Sequence, residues 1–317
     1  MVEFPDIQAA HVALAGRLHR TPLFSARLLG EQAGCRLHVK AENLQKTGSF
    51  KVRGALNRVR QLDASTKRRG LVTVSAGNHA QALAFAASLE GATCTVVMPQ
   101  NASPLKVAAS EGYGAEVVLH GDVFDAFEKM QALHREKGYE IVHPFDDEAV
   151  IAGQGTLGIE IVADLDAAVD VVVVPVGGGG LISGVATAVK SLQPEARVIG
   201  VEPVGAAAVR RALDAGEVVR LESIDTIADG LSAPMTSERV LEHVRAHVDG
   251  IVTVTDAEIQ TALCALLERS KLLVEPAGAA ALAAVLSGRV DVAPRQNVVV
   301  IASGGNIGTA RLRELLA

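Results

Sequence analysis

Residues 170–192 read DVVVVPVGGGGLISGVATAVKSL and decide the fold class of this 317-residue chain. The β-branched run at 170–176, bounded by Asp and Gly, is typical of a parallel strand that is buried on both faces. Four glycines follow the run, and the Ala-rich stretch at 181–192 predicts a helix. A strand, a glycine turn and a helix in this order form the repeating unit of a parallel, doubly wound sheet.

The same alternation of short apolar strands and Ala-rich helices recurs on both sides of this unit. Upstream, the pattern predicts strands at 70–74, 93–98 and 115–119 and helices at 80–89, 104–112 and 123–137. Downstream, it predicts strands at 197–202, 251–255 and 297–302 and helices at 206–215, 256–271 and 277–286. We therefore predict an α/β protein with two doubly wound open-sheet domains and a cleft between them. The smaller domain, at 70–146, is inserted into a larger one formed by 1–69 and 147–317.

Composition and charge exclude several function classes. The formal net charge is −6 with acids and bases interspersed, so no basic stripe indicates a nucleic-acid partner. No uncharged apolar run reaches membrane-spanning length, and the N-terminus lacks the pattern of a secretory signal. Cys35, Cys94 and Cys264 are widely spaced, which argues against a disulfide framework or a structural zinc site. We therefore expect a cytoplasmic protein with neither a nucleic-acid nor a membrane partner.

The four glycines at 177–180 form a candidate phosphate site. Successive glycines let backbone N–H groups converge on an anion, and the following helix N-terminus adds positive potential. The dinucleotide fingerprint fails because Leu181, Ile182 and Ser183 occupy the positions where its last glycine is needed. A single phosphate is the better ligand, and a simple tight turn between strand and helix is the alternative explanation of the glycines.

Lys51 is the candidate nucleophile. It follows the run Thr47-Gly48-Ser49-Phe50, which supplies small polar groups and an apolar wall. A lysine is usually a solvated surface charge. Desolvation in such a pocket, however, lowers the pKa of a lysine from about 10.4 toward neutrality. Such an amine can act first as a nucleophile and later as a base.

Two further loops carry small polar residues. The loop SAGNH at 75–79 precedes a predicted helix, so its N–H groups could receive a carboxylate together with Ser75 and Asn78. A serine N-cap is the simpler explanation of the same loop. The loop SGGN at 303–306 follows a predicted strand, and ligands of open α/β sheets bind at such carboxyl ends.

These four segments together resemble the fold-type II pyridoxal-phosphate enzymes, which are tryptophan-synthase-β-like. The closest resemblance is to the threonine/serine dehydratase and serine racemase group, and it extends over nearly the whole chain. The resemblance implies pyridoxal 5'-phosphate as cofactor, a small amino-acid substrate, and a homodimer or homotetramer.

The resemblance also assigns roles to residues. It implies that Lys51 carries the Schiff base, that Asn78 bonds the ring 3-hydroxyl and that Ser303 faces the pyridine nitrogen. The full set of implied cofactor-binding residues is Phe50, Lys51, Asn78, Gly177, Gly178, Gly179, Gly180, Leu181, Glu275 and Ser303. Catalytic roles are implied for Lys51 and Ser75. Substrate contacts are implied for Ser75, Ala76, Gly77, Asn78, His79 and Phe145.

Three residues favour one reaction within this group. A neutral hydroxyl at Ser303 does not enforce a protonated pyridine, so the ring is a weaker electron sink and β-elimination fits better than transamination. Ala76 stands where racemases of the group resemble serine, and racemisation needs two opposed bases. Phe145 stands where the racemase pattern resembles Asn. We therefore expect an ammonia-lyase that converts L-threonine or L-serine to a 2-oxo acid and ammonia.

Several alternatives remain open at this point. A serine racemase or a 3-hydroxyaspartate dehydratase shares the same core, and a non-catalytic pyridoxal-phosphate or nucleotide-binding module is a more remote possibility. The chain ends soon after the loop at 303–306, whereas biosynthetic threonine dehydratases carry a long C-terminal regulatory domain. This suggests a catabolic-type threonine dehydratase without that domain.

No metal site is assigned from the sequence. Glu202 and Ala206 resemble the group's cation site, but Ala208 replaces the expected Asp, so a monovalent or divalent cation stays an open alternative. His243 and His247 have the i, i+4 spacing of a zinc pair on a helix. No third ligand is near them in the sequence, which favours a structural role for both.

Overall fold

Ten strands form two separate sheets, and fourteen α-helices cover them in the computed structural model, which describes residues 1–317. The strands are β1 (Leu23–Ser25), β2 (Arg36–Ala41), β3 (Leu71–Val74), β4 (Cys94–Met98), β5 (Glu116–Leu119), β6 (Glu140–Ile141), β7 (Val171–Pro175), β8 (Arg197–Pro203), β9 (Gly250–Val254) and β10 (Asn297–Ala302). The helices are α1 (Phe4–Leu14), α2 (Arg27–Ala33), α3 (Lys51–Arg60), α4 (Ala64–Arg69), α5 (Asn78–Leu89), α6 (Pro104–Gly112), α7 (Val123–Lys137), α8 (Glu148–Asp164), α9 (Gly180–Leu192), α10 (Ala208–Ala215), α11 (Glu238–His247), α12 (Asp256–Ala265), α13 (Pro276–Leu286) and α14 (Thr309–Leu316).

The larger sheet has six strands in the order β1-β2-β10-β7-β8-β9. Its strand β7 is buried along its whole length, as the apolar run predicts. Alternate residues of β7 face opposite layers: Val171 and Val173 pack in the cluster with α12 and α13, and Val172 and Val174 pack in the cluster with α8 and α9. Five strands run parallel, but β1 pairs with β2 in the antiparallel sense, so the sheet is mixed at one edge.

The smaller sheet has four parallel strands in the order β5-β4-β3-β6. One face packs against α3 and α5, and Val72 and Val97 pack on the other face against α7. All four strands lie within the predicted range 70–146. Helix α3 lies outside that range, yet its apolar side chains share a core cluster with α5. The division into 1–69 with 147–317 and 70–146 stays a prediction.

A short antiparallel contact joins the end of β10 to the start of α3. Ser49 pairs with Gly304, the Phe50 N–H donates to the Ser303 carbonyl at 3.1 Å, and the Gly305 N–H donates to the Gly48 carbonyl at 2.9 Å. This contact fixes the entry of the chain into α3. It therefore places Lys51, the first residue of α3, at the carboxyl end of the larger sheet.

Some elements differ from the predicted ones. The predicted helix 256–271 ends as an α-helix at Ala265 and continues as a π-helical turn, Leu266–Ser270. The predicted helix 206–215 begins at Ala208, after a 3-10 turn, Val204–Ala206. Further 3-10 turns occupy Glu42–Leu44, Lys46–Gly48 and Asp229–Leu231. None of the helices combines the length and the apolar character that a bilayer crossing requires.

Candidate active site

The amine of Lys51 is enclosed by the residues around it. Its Nζ donates a hydrogen bond to the Pro144 carbonyl at 2.9 Å and sits 5.2 Å from the centre of the Phe50 ring. Lys51 as a whole residue is only half-buried, but burial of its ammonium group lowers the pKa of Lys51 to about 8. The predicted desolvated lysine therefore has the electrostatic setting that an amine nucleophile requires.

The turn before Lys51 has an unusual backbone. Thr47 and Gly48 both lie in the left-handed region, at φ 64° and 71°, and together they reverse the chain before α3. A β-branched residue rarely adopts this conformation, because its side chain crowds the backbone there. The surrounding contacts must therefore hold Thr47 in place.

The tetraglycine turn offers free amide groups. No hydrogen bond of the structure has the N–H of Gly177, Gly178 or Gly179 as its donor. Gly179 is the N-cap of α9 at φ 94°, and no side chain caps that helix. Leu181 is buried in the core, so it can contribute to the turn only through its backbone. Three unpaired amides at a helix N-terminus suit a phosphate group.

Packing also requires glycine in this turn. A Cβ atom added at Gly178 would lie 2.2 Å from the Phe145 ring, and one added at Gly180 would lie 2.9 Å from the Phe145 backbone. A Cβ at Gly177 would lie 3.0 Å from the Leu231 backbone. The glycines thus admit Phe145 against the turn as well as leaving their amides accessible.

Residues 143–145 bring the lysine and the turn together. The Pro144 carbonyl binds the Lys51 amine, and the next residue, Phe145, packs on Gly178. The His143 ring lies edge-on to the Phe145 ring, with 4.6 Å between their centres. Phe145, predicted to contact the substrate, thus lies beside the turn predicted to hold the phosphate.

The loop 75–79 ends at the start of α5. The Ser75 Oγ accepts the Gly77 N–H at 3.1 Å, so Ser75 keeps its own O–H for another acceptor. No side chain caps α5, which leaves the N–H groups of its first turn without intrahelical partners. Ala76 packs against the core of the smaller sheet. This arrangement is compatible with the predicted binding of a carboxylate.

The His79 side chain points away from that role. Its Nε2 lies 2.9 Å from the Val142 carbonyl, which can only accept, so Nε2 carries the proton. Burial, and then the charge of Lys51, lower the pKa of His79 to about 3. The ring is therefore neutral, and His79 can serve the carboxylate loop through its backbone only.

Asn78, Glu275 and Ser303 all lie near the start of α13. Asn78 Nδ2 donates to Glu275 Oε1 at 2.5 Å, and the Ser303 hydroxyl lies 3.4 Å from the Ala277 carbonyl. Burial raises the pKa of Glu275 to about 7. Asn306, which the sequence did not single out by itself, donates to Asn78 Oδ1 at 2.7 Å. Its place in the SGGN loop was the only sequence signal for this role.

The candidate cation site is arranged as a helix cap. Both carboxylate oxygens of Glu202 accept backbone N–H groups, from Val209 and Arg210, at 2.8 Å each. Ala208 offers no further ligand at the start of α10, and no group of three or more His, Cys, Asp or Glu side chains is close enough to hold a metal. His243 is buried, with Nε2 accepting the Val2 N–H at 2.8 Å.

Lys51 with its enclosed amine, the glycine turn with its unpaired amides and the uncapped start of α5 all lie at the carboxyl ends of strands in the two sheets. Together they define an enzyme that holds an aldehyde cofactor by its phosphate and acts on a small amino acid. The chain belongs to the family of pyridoxal-phosphate dependent enzymes, whose sequence pattern matches residues 14–304. The free amides of the glycine turn and the enclosed Lys51 amine fit this cofactor.

The chain is also similar to individual proteins. The chain is 45% identical over 308 residues to an L-threonine ammonia-lyase of Thermotoga maritima, which covers 97% of this chain and 76% of that protein. It is 43% identical over 317 residues to the catabolic L-threonine dehydratase TdcB of Escherichia coli strain K12, covering 99% and 96% of the two chains. The structure of maize serine racemase matches with a TM-score of 0.94 at 35% identity, covering 99% and 97%.

Proposed function

We propose that this protein is a pyridoxal-phosphate-dependent ammonia-lyase that converts L-threonine, and also L-serine, to a 2-oxo acid and ammonia. The observation that carries the proposal is the enclosed Lys51 amine. This amine bonds to the Pro144 carbonyl, and the next residue, Phe145, packs on the glycine turn. The names of the bacterial relatives at 43–45% identity support threonine as the substrate.

The residues of the chain divide the work of this reaction. Pyridoxal phosphate, when bound, supplies an aldehyde that condenses with amines and a ring that withdraws electrons. The N–H groups of the 177–180 turn hold a phosphate, and the first turn of α5 holds the substrate carboxylate. Phe50 provides an apolar wall near the amine. These contacts would orient a bound substrate so that its α-hydrogen faces Lys51.

Lys51 Nζ is the group that accepts the α-proton. Its pKa of about 8 leaves part of the population unprotonated near neutral pH, which an ordinary lysine does not achieve. The Pro144 carbonyl fixes the direction of the amine. Ser75, whose O–H is free, is placed to donate to the substrate as the hydroxyl leaves.

Serine racemisation is the second candidate, because the maize serine racemase structure matches over nearly the whole chain. Ala76 lies in the carboxylate loop and carries no group that can move a proton. A base on one face of the substrate removes an α-proton, but it cannot deliver a proton to the opposite face. This observation favours elimination, and 3-hydroxyaspartate remains a substrate to include in the assay.

We also propose that the protein is a cytoplasmic homodimer or homotetramer. Phe24, Leu28, Leu44 and Leu273 are exposed apolar side chains of the part that carries the larger sheet, which supports association. All three cysteines are free thiols, which suits a reducing compartment. Light scattering of the purified protein measures the subunit number directly.

Replacement of Lys51 tests the proposed function. We expect K51A to lose the visible absorbance of the bound cofactor and to lower 2-oxo acid production from L-threonine by at least about 10³-fold. K190A is the matched control, because Lys190, in the last turn of α9, forms an ion pair with Asp249 at the end of that helix opposite the glycine turn. Undiminished turnover in K51A would refute the assignment. Production of D-serine without 2-oxo acid by the native protein would favour the racemase.

A further inference from the structure

Asn306 has both of its amide hydrogens engaged. Its Nδ2 donates to the Thr47 carbonyl at 2.8 Å and to Asn78 Oδ1 at 2.7 Å. The Thr47 carbonyl can only accept, so the NH₂ side of Asn306 must face it. This fixes the orientation of the Asn306 amide without ambiguity.

The fixed amide of Asn306 determines the orientation of Asn78. Since Asn306 presents N–H to Asn78, the oxygen of the Asn78 amide must face Asn306, and its NH₂ must face the other way. One hydrogen of that NH₂ goes to Glu275 Oε1 at 2.5 Å. The second hydrogen has no partner in the protein and remains for a ligand in the cleft.

The position of Asn306 is itself tightly held. A Cβ added at Gly48 would lie 2.3 Å from Asn306 Oδ1, so the side chain packs directly on the left-handed turn. The adjacent backbone is joined to the same turn through the Gly305 N–H and the Gly48 carbonyl at 2.9 Å. The anchor at Thr47 therefore belongs to the segment that leads into Lys51.

We propose that Asn306 is a positioning residue that sets the direction of the Asn78 amide and so keeps one Asn78 N–H aimed at the cofactor ring. The proposal depends on the proposed function only in the choice of the reaction for which kcat is measured. Asn306 does not take or give a proton in the reaction. It acts through Asn78, with the Thr47 carbonyl as its fixed point.

The substitution N306D tests this role with little change in volume. The new carboxylate would accept instead of donate, so the Asn78 amide would rotate to present its NH₂ to position 306 and its oxygen to Glu275. The matched control is N43D, because Asn43 makes a single bond to the Leu273 carbonyl at 3.0 Å and contacts neither Asn78 nor Thr47 by hydrogen bonds. Both variants add one negative charge near the same loop.

The main readout is the visible absorbance of the holoenzyme followed against pH. A lost N–H donor disfavours an ionised ring oxygen, so we expect the midpoint of the titration in N306D to move upward by about one pH unit. The midpoint of N43D should match that of the native protein. We expect kcat for L-threonine in N306D to fall by about 10- to 100-fold. An unchanged titration in folded N306D would overturn the proposal.

A double-mutant cycle separates positioning from a general loss of structure. If Asn306 acts through Asn78, N306A should lower kcat in the native background and change it little further in an N78A background. Fully additive losses would contradict the proposal. If N306D fails to fold, the absorbance titration is carried out on N306A instead. If the native holoenzyme forms no 2-oxo acid, the proposed function fails, while the absorbance titration still decides the role of Asn306.

Discussion

At position 79 a histidine is buried without charge, and protonation of its ring works against the fold. The pKa of His79 is lowered by burial from 6.5 to about 3, so the folded state resists a proton that the unfolded chain accepts. The stability contributed by the neutral ring is present above pH 6.5 and is lost as pH falls from 6.5 toward 3. From pH 7.5 to 5.5 this loss is about 1.4 kcal/mol.

The substitution H79Q isolates this effect, since an amide N–H can still donate to the Val142 carbonyl but does not titrate. We expect the free energy of unfolding of the native protein to fall by about 1.4 kcal/mol more than that of H79Q over this pH range. Urea unfolding of both proteins at the two pH values measures the difference. Equal pH dependence in the two proteins would show that His79 is not the group responsible.

The side-chain direction of His79 is not accessible from the sequence. The loop SAGNH correctly predicts a helix after it, because a small-residue turn precedes an Ala-rich stretch, although α5 begins at Asn78 and not at the predicted residue 80. The acceptor of the ring, Val142, is 63 residues away in the chain. Only the parallel packing of β3 beside β6 brings the two together, with Val142 bonded to Val72.

Among the elements, the strand–turn–helix unit β7–α9 gives a sharp prediction about packing. G178A would place a methyl group 2.2 Å from the Phe145 ring, so the ring or the turn must move. We expect a loss of about 1–3 kcal/mol in the free energy of unfolding and weaker retention of the cofactor phosphate. G112A is the matched control, because a Cβ at the exposed end of α6 meets no atom within 4 Å.

Urea unfolding measures the loss of stability. Visible absorbance of the protein at increasing cofactor concentrations measures how well the cofactor is retained. The double variant G178A/F145A should regain part of the lost cofactor binding, because the smaller side chain makes room for the methyl group. If G178A behaves like G112A in both measurements, the packing of Phe145 on the turn does not constrain the site.

Local sequence patterns predict some elements well and miss others for a physical reason. The predicted helix 123–137 and strand 297–302 coincide with α7 and β10, because caps, charges and apolar runs mark their ends. The long helix α8 was not predicted. Its Gly153 packs on the Arg53 backbone and its Gly155 on the Gly184 backbone, so glycine there serves close helix contacts, which no local pattern reveals.

At the scale of the whole molecule, a buried network of charges ties helix α3 to helix α8 and to the end of strand β2. Glu160 of α8 pairs with Lys40 of β2 at 2.8 Å and with Arg53 of α3 at 2.7 Å, and Arg53 also pairs with Glu42 at 2.7 Å. These side chains are all buried. Lys40 also pairs with Asp164 at 2.9 Å, so each of the two cations keeps a carboxylate partner when Glu160 is neutralised.

We expect E160Q to lower the free energy of unfolding by about 1–3 kcal/mol, because Lys40 and Arg53 each lose one charged hydrogen-bond partner but keep another. E314Q removes an exposed ion pair with Arg311 and should change stability by less than about 1 kcal/mol. Chemical unfolding of the two variants at pH 7.5 gives the comparison. Equal small effects would mean that the buried network contributes no more to stability than an exposed ion pair.

The site as a whole was more predictable than the arrangement of its parts. The sequence marks Lys51, the glycine turn and the loops at 75–79 and 303–306 by their small residues, and the structure brings these segments close to one another. The link through Pro144 and Phe145 was not predicted, because it depends on how the two sheets face each other. The orientation imposed by Asn306 depends on the same arrangement.

The short antiparallel contact between the 47–50 segment and the end of β10 has a mechanical consequence. Lys51 lies at a junction: the segment before it is hydrogen-bonded to the end of the larger sheet, and α3 after it packs both on α5 of the smaller sheet and on α8. The glycine turn sits wholly on the larger side. A shift of α3 relative to the end of β10 would therefore change the distance between the Lys51 amine and the glycine turn.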